Sequence, residues 1–249
     1  MRTERRDTAF YGRRKGHPLR AHQANLFEEL LPRLRVRPEE LKNPAALFPR
    51  PITELWLEIG FGGGEHLAHR ARENPAVGFI GCEPFVNGMA KLLAAVESDH
   101  LDNVRLYDSD AAHVIAGLPD ASVSRVFLLY PDPWPKRRHH KRRFVSDEML
   151  TKLARIIKPG GDFWFASDID HYVGWTLARI LRSPDFMWPA ANADDWRTPY
   201  EGWPGTRYEA KAKREGRTPS YLRFKRVQSA TTSLSSSNLA RAQTKRMTR

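Results

Sequence analysis

The sequence predicts a single α/β domain with a mostly parallel sheet and helices on both faces. Three observations carry this. Short apolar runs alternate with amphipathic stretches from residue 54 to residue 181. Acidic residues recur where the runs end, at Glu58, Glu83, Asp110 and Asp168. The chain has 249 residues and is 41% apolar, enough for one sizeable core.

The elements follow in order. Residues 21–31 have the spacing of a short amphipathic helix, ended near Pro32. Residues 35–53 hold four prolines and read as a linker wrapped on the body. Residues 54–59 predict a strand, 60–64 a glycine turn and 65–73 a helix. Strand 77–82 precedes helix 85–97, and strand 103–107 precedes a short helix over 111–116. Strand 123–129 is followed by a basic loop, then helix 147–157 with Ser146 as its N-cap. Residues 158–161 (KPGG) read as a turn, 162–166 as a strand and 171–181 as a helix. Beyond that, 186–188 suit a short strand, 194–218 an ordered functional loop and 221–227 a last strand. The expected organisation is a flexible basic arm over 1–20, one domain over 21–227, and a disordered Ser/Thr-rich basic tail over 228–249.

Net charge is +12, unevenly spread. Residues 1–20 carry +5, 136–143 carry +6, 205–226 carry +6 and 228–249 carry +4, leaving −9 for the rest. Basic segments on an acidic body point to a polyanionic partner. A single cysteine, Cys82, excludes an internal disulfide and a cysteine-rich zinc site, and suits a reducing compartment. No apolar run reaches membrane-spanning length and no secretory leader is evident, so the expected location is the cytoplasm. The nine histidines show no metal-ligand spacing, and no metal is expected.

The chemistry-bearing residues sit at the strand ends. Glycines at 60, 62 and 64 let the backbone approach a ligand closely. A dinucleotide fingerprint would need a third glycine where Glu65 stands, whereas a G-x-G-x-G turn suits S-adenosylmethionine, which has no pyrophosphate. Glu83 is placed to accept ribose hydroxyls. Asp110 can accept from an adenine amino group, cap the next helix, or both. The run Tyr130-Pro-Asp-Pro-Trp-Pro-Lys136 puts Asp132 in a proline-stiffened loop beside Trp134, and the cations that follow suit phosphates. Asp168 either caps the following helix or faces the site. Thr206-Arg207-Tyr208-Glu209 is either a surface turn or a place where an aromatic beside an acid can stack on a base and hydrogen-bond its edge.

Together, LEIGFGGG at 57–64, GCEP at 81–84, PDPWPK at 131–136, HHKRR at 139–143, SDI at 167–169 and TRYE at 206–209 resemble the bacterial tRNA (guanine-N7)-methyltransferases. The resemblance covers about residues 20–227, and its proline-tryptophan-basic string is its most specific part. It implies a Rossmann-like class I methyltransferase fold of seven strands, the last antiparallel. It implies S-adenosylmethionine as cofactor and methyl transfer to N7 of a variable-loop guanine in tRNA. Carried over by position, Asp132 is the active-site acid. Glu58, Gly60, Gly62, Gly64, Glu83, Asp110 and Asp132 would line the cofactor site. Lys136, Asp168, Thr206, Arg207, Tyr208 and Glu209 would hold the target guanosine. Arg138, His139, His140, Lys141, Arg142 and Arg143 would contact RNA. No obligatory protein partner is implied, and a monomer or a homodimer is expected. Two alternatives stand beside this reading: an exocyclic-amine methyltransferase, on the loose likeness of Asp-Pro-x-Trp to a D-P-P-Y loop, and a catalytically silent RNA-binding module.

Overall fold

A computed structural model describes residue 12 and residues 14–228. Most of the predicted basic arm and nearly all of the tail therefore lie outside the described residues.

Strands β1 (Glu54–Ile59), β2 (Val77–Cys82), β3 (Val104–Tyr107), β4 (Val123–Leu129) and β5 (Ile157–Ser167) run parallel. Strand β7 (Ser220–Arg226) pairs antiparallel with both β5 and the short β6 (Phe186–Met187). The sheet order is β3-β2-β1-β4-β5-β7-β6. Strand order reverses between β1 and β4, so the loops after these strands diverge and leave a crevice at their carboxyl ends.

Alternation along each strand feeds two cores. Leu55, Leu57 and Ile59 of β1 pack with α5 (Ala111–Gly117), α6 (Asp147–Ile156) and α7 (Asp170–Ile180). Trp56, on the other face, packs with α1 (Ala21–Glu29), α2 (Leu31–Leu34), α3 (Glu65–Glu73) and α4 (Val86–Ser98). Ser146 caps α6 as expected, its hydroxyl accepting the Met149 N–H at 3.1 Å.

Three segments differ from the sequence reading. The proline-rich 35–53 segment does wrap on the body, but it carries 3-10 turns over Pro38–Lys42 and Pro44–Leu47, the first sinking Leu41 into the core. The expected turn at 158–161 lies inside β5, where the register against β4 shifts between Val123 and Arg125 and Gly160 takes φ +77°. Glycine permits that left-handed backbone without breaking the strand. The expected loop at 194–218 contains α8 (Asp194–Arg197) and α9 (Arg207–Arg214). The described part of the arm lies against the start of α4. There the Val86 N–H donates to the Arg14 carbonyl at 2.9 Å, and Asn87 bonds Gly16 N and the His17 carbonyl, both at 2.7 Å. No helix among the described residues is long and apolar enough to cross a membrane.

Candidate active site

A cavity of about 430 Å³ opens at the carboxyl ends of the central strands. Its floor and walls include Gly60, Gly62, Glu83, Asp110, Tyr130, Asp132, Trp134, Arg142 and Tyr208. That volume is in the range of small-molecule sites. Residues far apart in the sequence, from Gly12 to Tyr208, thus meet around one space.

The glycine turn forms one wall. Gly62 has φ +59°, and its N–H donates to Glu83 Oε2 at 2.7 Å. A Cβ there would lie 3.0 Å from the Tyr208 ring, so only glycine lets α9 close over the turn. Glu83 is buried, and its other oxygen accepts the Phe85 N–H at 2.9 Å. Burial raises its pKa, and the two backbone donors pull it back. Each carboxylate oxygen keeps a lone pair for a ligand hydroxyl. Asp110 caps α5 by accepting the Ala112 N–H at 2.9 Å through one oxygen, and it also lines the cavity.

Asp132 lines the same cavity. Its side chain is open to the cavity, yet the surrounding walls desolvate it enough to raise its pKa. The backbone around it is strained: Tyr130 and Trp134 both lie in the left-handed region, at φ +51° and +43°. Such conformations cost about 1–3 kcal/mol each in non-glycine residues and persist only where the surroundings enforce them. Cys82 also lines the cavity, but burial pushes its thiol pKa well up, away from nucleophile chemistry.

Several expected contacts are turned elsewhere. Glu58 is not a wall of the cavity. It shares the β1 face of Trp56, under α3, and its Oε2 lies 2.6 Å from His66 Nδ1, with His66 Nε2 in turn bonded to Tyr200. Gly64 likewise lies off the cavity; it starts α3 at φ +79°, where a side chain would overlap Leu92. Asp168 is held by Arg217, whose Nε donates at 2.5 Å, and it caps no helix, since Ile169 is the N-cap of α7. Thr206 and Glu209 are also held by partners within the protein. The Thr206 hydroxyl caps α9 by accepting the Glu209 N–H at 3.1 Å. The Glu209 carboxylate is buried, accepting from Trp203, Lys213 and the Tyr221 hydroxyl, the last at 2.6 Å. The TRYE string thus has the Thr-x-x-Glu spacing of a helix start, a signal present in the sequence. Between those two positions, Arg207 and Tyr208 face the turn: both lie within 3.4 Å of a Cβ built on Gly62, and Arg207 Nη2 donates to the Tyr208 hydroxyl at 3.1 Å.

The basic run folds as a 3-10 helix over Arg137–Arg142. With three residues per turn, it divides into faces. Arg138 and Lys141 are exposed, as are Lys136 and Arg137 before them. His139 and Arg142 turn to Trp134, at 5.8 Å and 4.9 Å between centres. His140 packs on Trp175 at 5.2 Å. Arg143 is only 4% exposed, so its side chain is not available to RNA, contrary to the sequence expectation. Arg137, absent from the expected RNA contacts, is available.

A family model described as a putative methyltransferase matches residues 53–221. The chain is 59% identical to a tRNA (guanine-N(7)-)-methyltransferase of Agrobacterium fabrum over 90% of its own length and 97% of the relative's. It is 58% identical to one of Rhizobium meliloti, over 91% and 98%. The chain belongs to the tRNA (guanine-N(7)-)-methyltransferase family. Among solved structures, the 16S rRNA methyltransferase KamB superposes with a TM-score of 0.50 at 17% identity, covering 71% of this chain and 89% of that one. That likeness supports the class I methyltransferase fold. In this family member Gly60, Gly62, Glu83, Asp110 and Asp132 share one cavity, while Glu58, Asp168, Thr206 and Glu209 have hydrogen-bond partners within the protein.

Proposed function

We propose that this protein transfers a methyl group from S-adenosylmethionine to N7 of a guanine in tRNA. The observation that carries the reading is the shared cavity, lined by Gly60, Gly62, Glu83 and Asp132, with an exposed cationic turn following Asp132 in the chain. The cavity fits the cofactor: Gly60 lines it with open space where a Cβ would stand, and Glu83 and Asp110 supply acceptors for hydroxyl and amino groups. When bound, S-adenosylmethionine supplies an electrophilic methyl group on a positively charged sulfur.

Guanine N7 carries a free lone pair, so no group need deprotonate it. The residues have two tasks, alignment and charge stabilisation. Tyr130 and Trp134 offer flat walls for a base, and Asp132 lies between them in sequence and beside them in the cavity. Methylation places positive charge on the purine, and the ionised Asp132 carboxylate stabilises it. Lys136, Arg137, Arg138 and Lys141 present charge to the tRNA backbone. N7 is hidden in the narrow major groove of paired RNA, which favours an exposed guanine such as one in the variable loop. The place of action is where tRNA is processed and used, the cytoplasm.

The deciding assay incubates the protein with unmodified tRNA and methyl-labelled cofactor and maps the product base. N7-methylguanine in the variable loop is expected. Label on an exocyclic amine, or none, would overturn the reading.

A further inference from the structure

We infer that Arg143 is a positioning residue for Asp132, acting through the strained loop that carries it. The inference rests on the reaction proposed above but concerns a residue that touches neither cofactor nor RNA.

Arg143 is a buried cation with unusual partners. Its Nε donates at 2.8 Å to the carbonyl of Pro133, the residue after Asp132. Its Nη2 lies 3.0 Å from His171 Nδ1. Its guanidinium carbon lies 4.9 Å from the Tyr172 ring centre and 4.8 Å from that of Trp175. No carboxylate is among these partners, and its Nη1 is buried with no partner among the described residues. A cation removed from water without an acid to pair with is costly, so the arrangement needs a compensating purpose.

The loop supplies one. Tyr130 and Trp134 hold left-handed backbone on either side of Asp132. The Tyr130 end is tied to the sheet, its N–H donating to the Ala166 carbonyl at 2.8 Å. Arg143 ties the other end at Pro133. The rings that hold Arg143 are themselves fixed to the next segment: Trp175 Nε1 donates to the Val145 carbonyl at 2.8 Å, and the Tyr172 hydroxyl accepts the Val145 N–H at 3.4 Å. A rigid helix, α7, is thereby linked through one guanidinium to the peptide beside the active-site acid. Lysine keeps the charge but lacks the planar fork that reaches a carbonyl and an imidazole while lying between two rings.

The test is Arg143→Lys in the full chain, with Arg143→Ala as a second variant. Single-turnover methylation at saturating tRNA and cofactor should slow about 10–100-fold in the Lys variant, the scale expected of a misplaced reacting group. Affinities for tRNA and S-adenosylmethionine should stay within twofold, and the salt slope of tRNA binding should not change. Added guanidinium at millimolar levels should restore part of the rate in Arg143→Ala. Independently of activity, amide exchange across residues 130–136 should quicken in the Lys variant. A Lys variant with wild-type rate and wild-type exchange overturns the inference, whatever the Ala variant does. In Arg143→Ala, which removes the charge, a salt slope reduced by about one charge with the rate intact also overturns it and would make Arg143 an RNA contact. The wild-type chain run alongside keeps the two readings apart: absence of N7 product there sinks the proposed reaction, whereas a fast Lys variant sinks only the role of Arg143.

Discussion

Asp132 and Glu83 are carboxylates whose work depends on being charged, and burial raises the pKa of both. The sign follows directly. The ionised form is full above the raised pKa and is lost as pH falls through it. The methyl-transfer rate should therefore drop on the acid side of a limb lying above the ordinary aspartate value, and Asp132→Asn should abolish that limb. In the Asn variant the single-turnover rate at neutral pH should fall by roughly 10²-fold, with tRNA affinity little changed. A near wild-type rate would leave Asp132 as a turn former only. Glu83→Ala should weaken S-adenosylmethionine binding by about 1.5–3 kcal/mol, the worth of a lost charged acceptor. Calorimetry from pH 4 to 8 checks both size and sign: wild-type affinity should fall at the acid end, and that of the Ala variant should stay flat.

Among the elements, the basic 3-10 turn shows how period sorts identical residue types. From composition alone every cation between 136 and 143 suits phosphate. A helix of three residues per turn sends Arg138 and Lys141 outward, brings Arg142 to Trp134 and leads into a buried Arg143. Neutralising Arg137, Arg138 and Lys141 together to Gln should therefore lower the salt slope of tRNA binding by up to about three charges' worth, with cofactor affinity unchanged. An unchanged slope would make the turn a merely solvated face. Helix α9 works the same way. Its capping interaction turns Thr206 and Glu209 inward and leaves Arg207 and Tyr208 over Gly62.

At the scale of the whole molecule, the sheet layers are joined by polar contacts as well as by the two apolar cores. Glu58 on β1 meets His66 on α3, which meets Tyr200 in the segment leading to α9. Both Glu58 and His66 are almost wholly buried. His66→Leu would strand the Glu58 carboxylate and should destabilise the fold by about 3–5 kcal/mol in urea unfolding. Glu58→Gln keeps a hydrogen-bond acceptor and should leave S-adenosylmethionine affinity within twofold. A large loss of affinity in Glu58→Gln would return that residue to the cofactor site.

By itself the sequence determined the α/β class, the order of the main strands, the glycine turn, the cap at Ser146 and the loop holding Asp132. All of these are local: period, glycine and proline placement and strand-end acids are properties of neighbouring residues. It also carried the family's motifs, and hence the reaction. Only the tertiary structure decided which motif side chains face the cavity. Glu58, Asp168, Glu209 and Arg143 have the residue types a site needs. Each instead meets a partner brought from elsewhere in the chain: His66, Arg217, Tyr221, and the pair Tyr172 and Trp175. A charged side chain near a strand end can face a ligand or satisfy a buried neighbour. The choice depends on packing across the sheet, which no local pattern encodes.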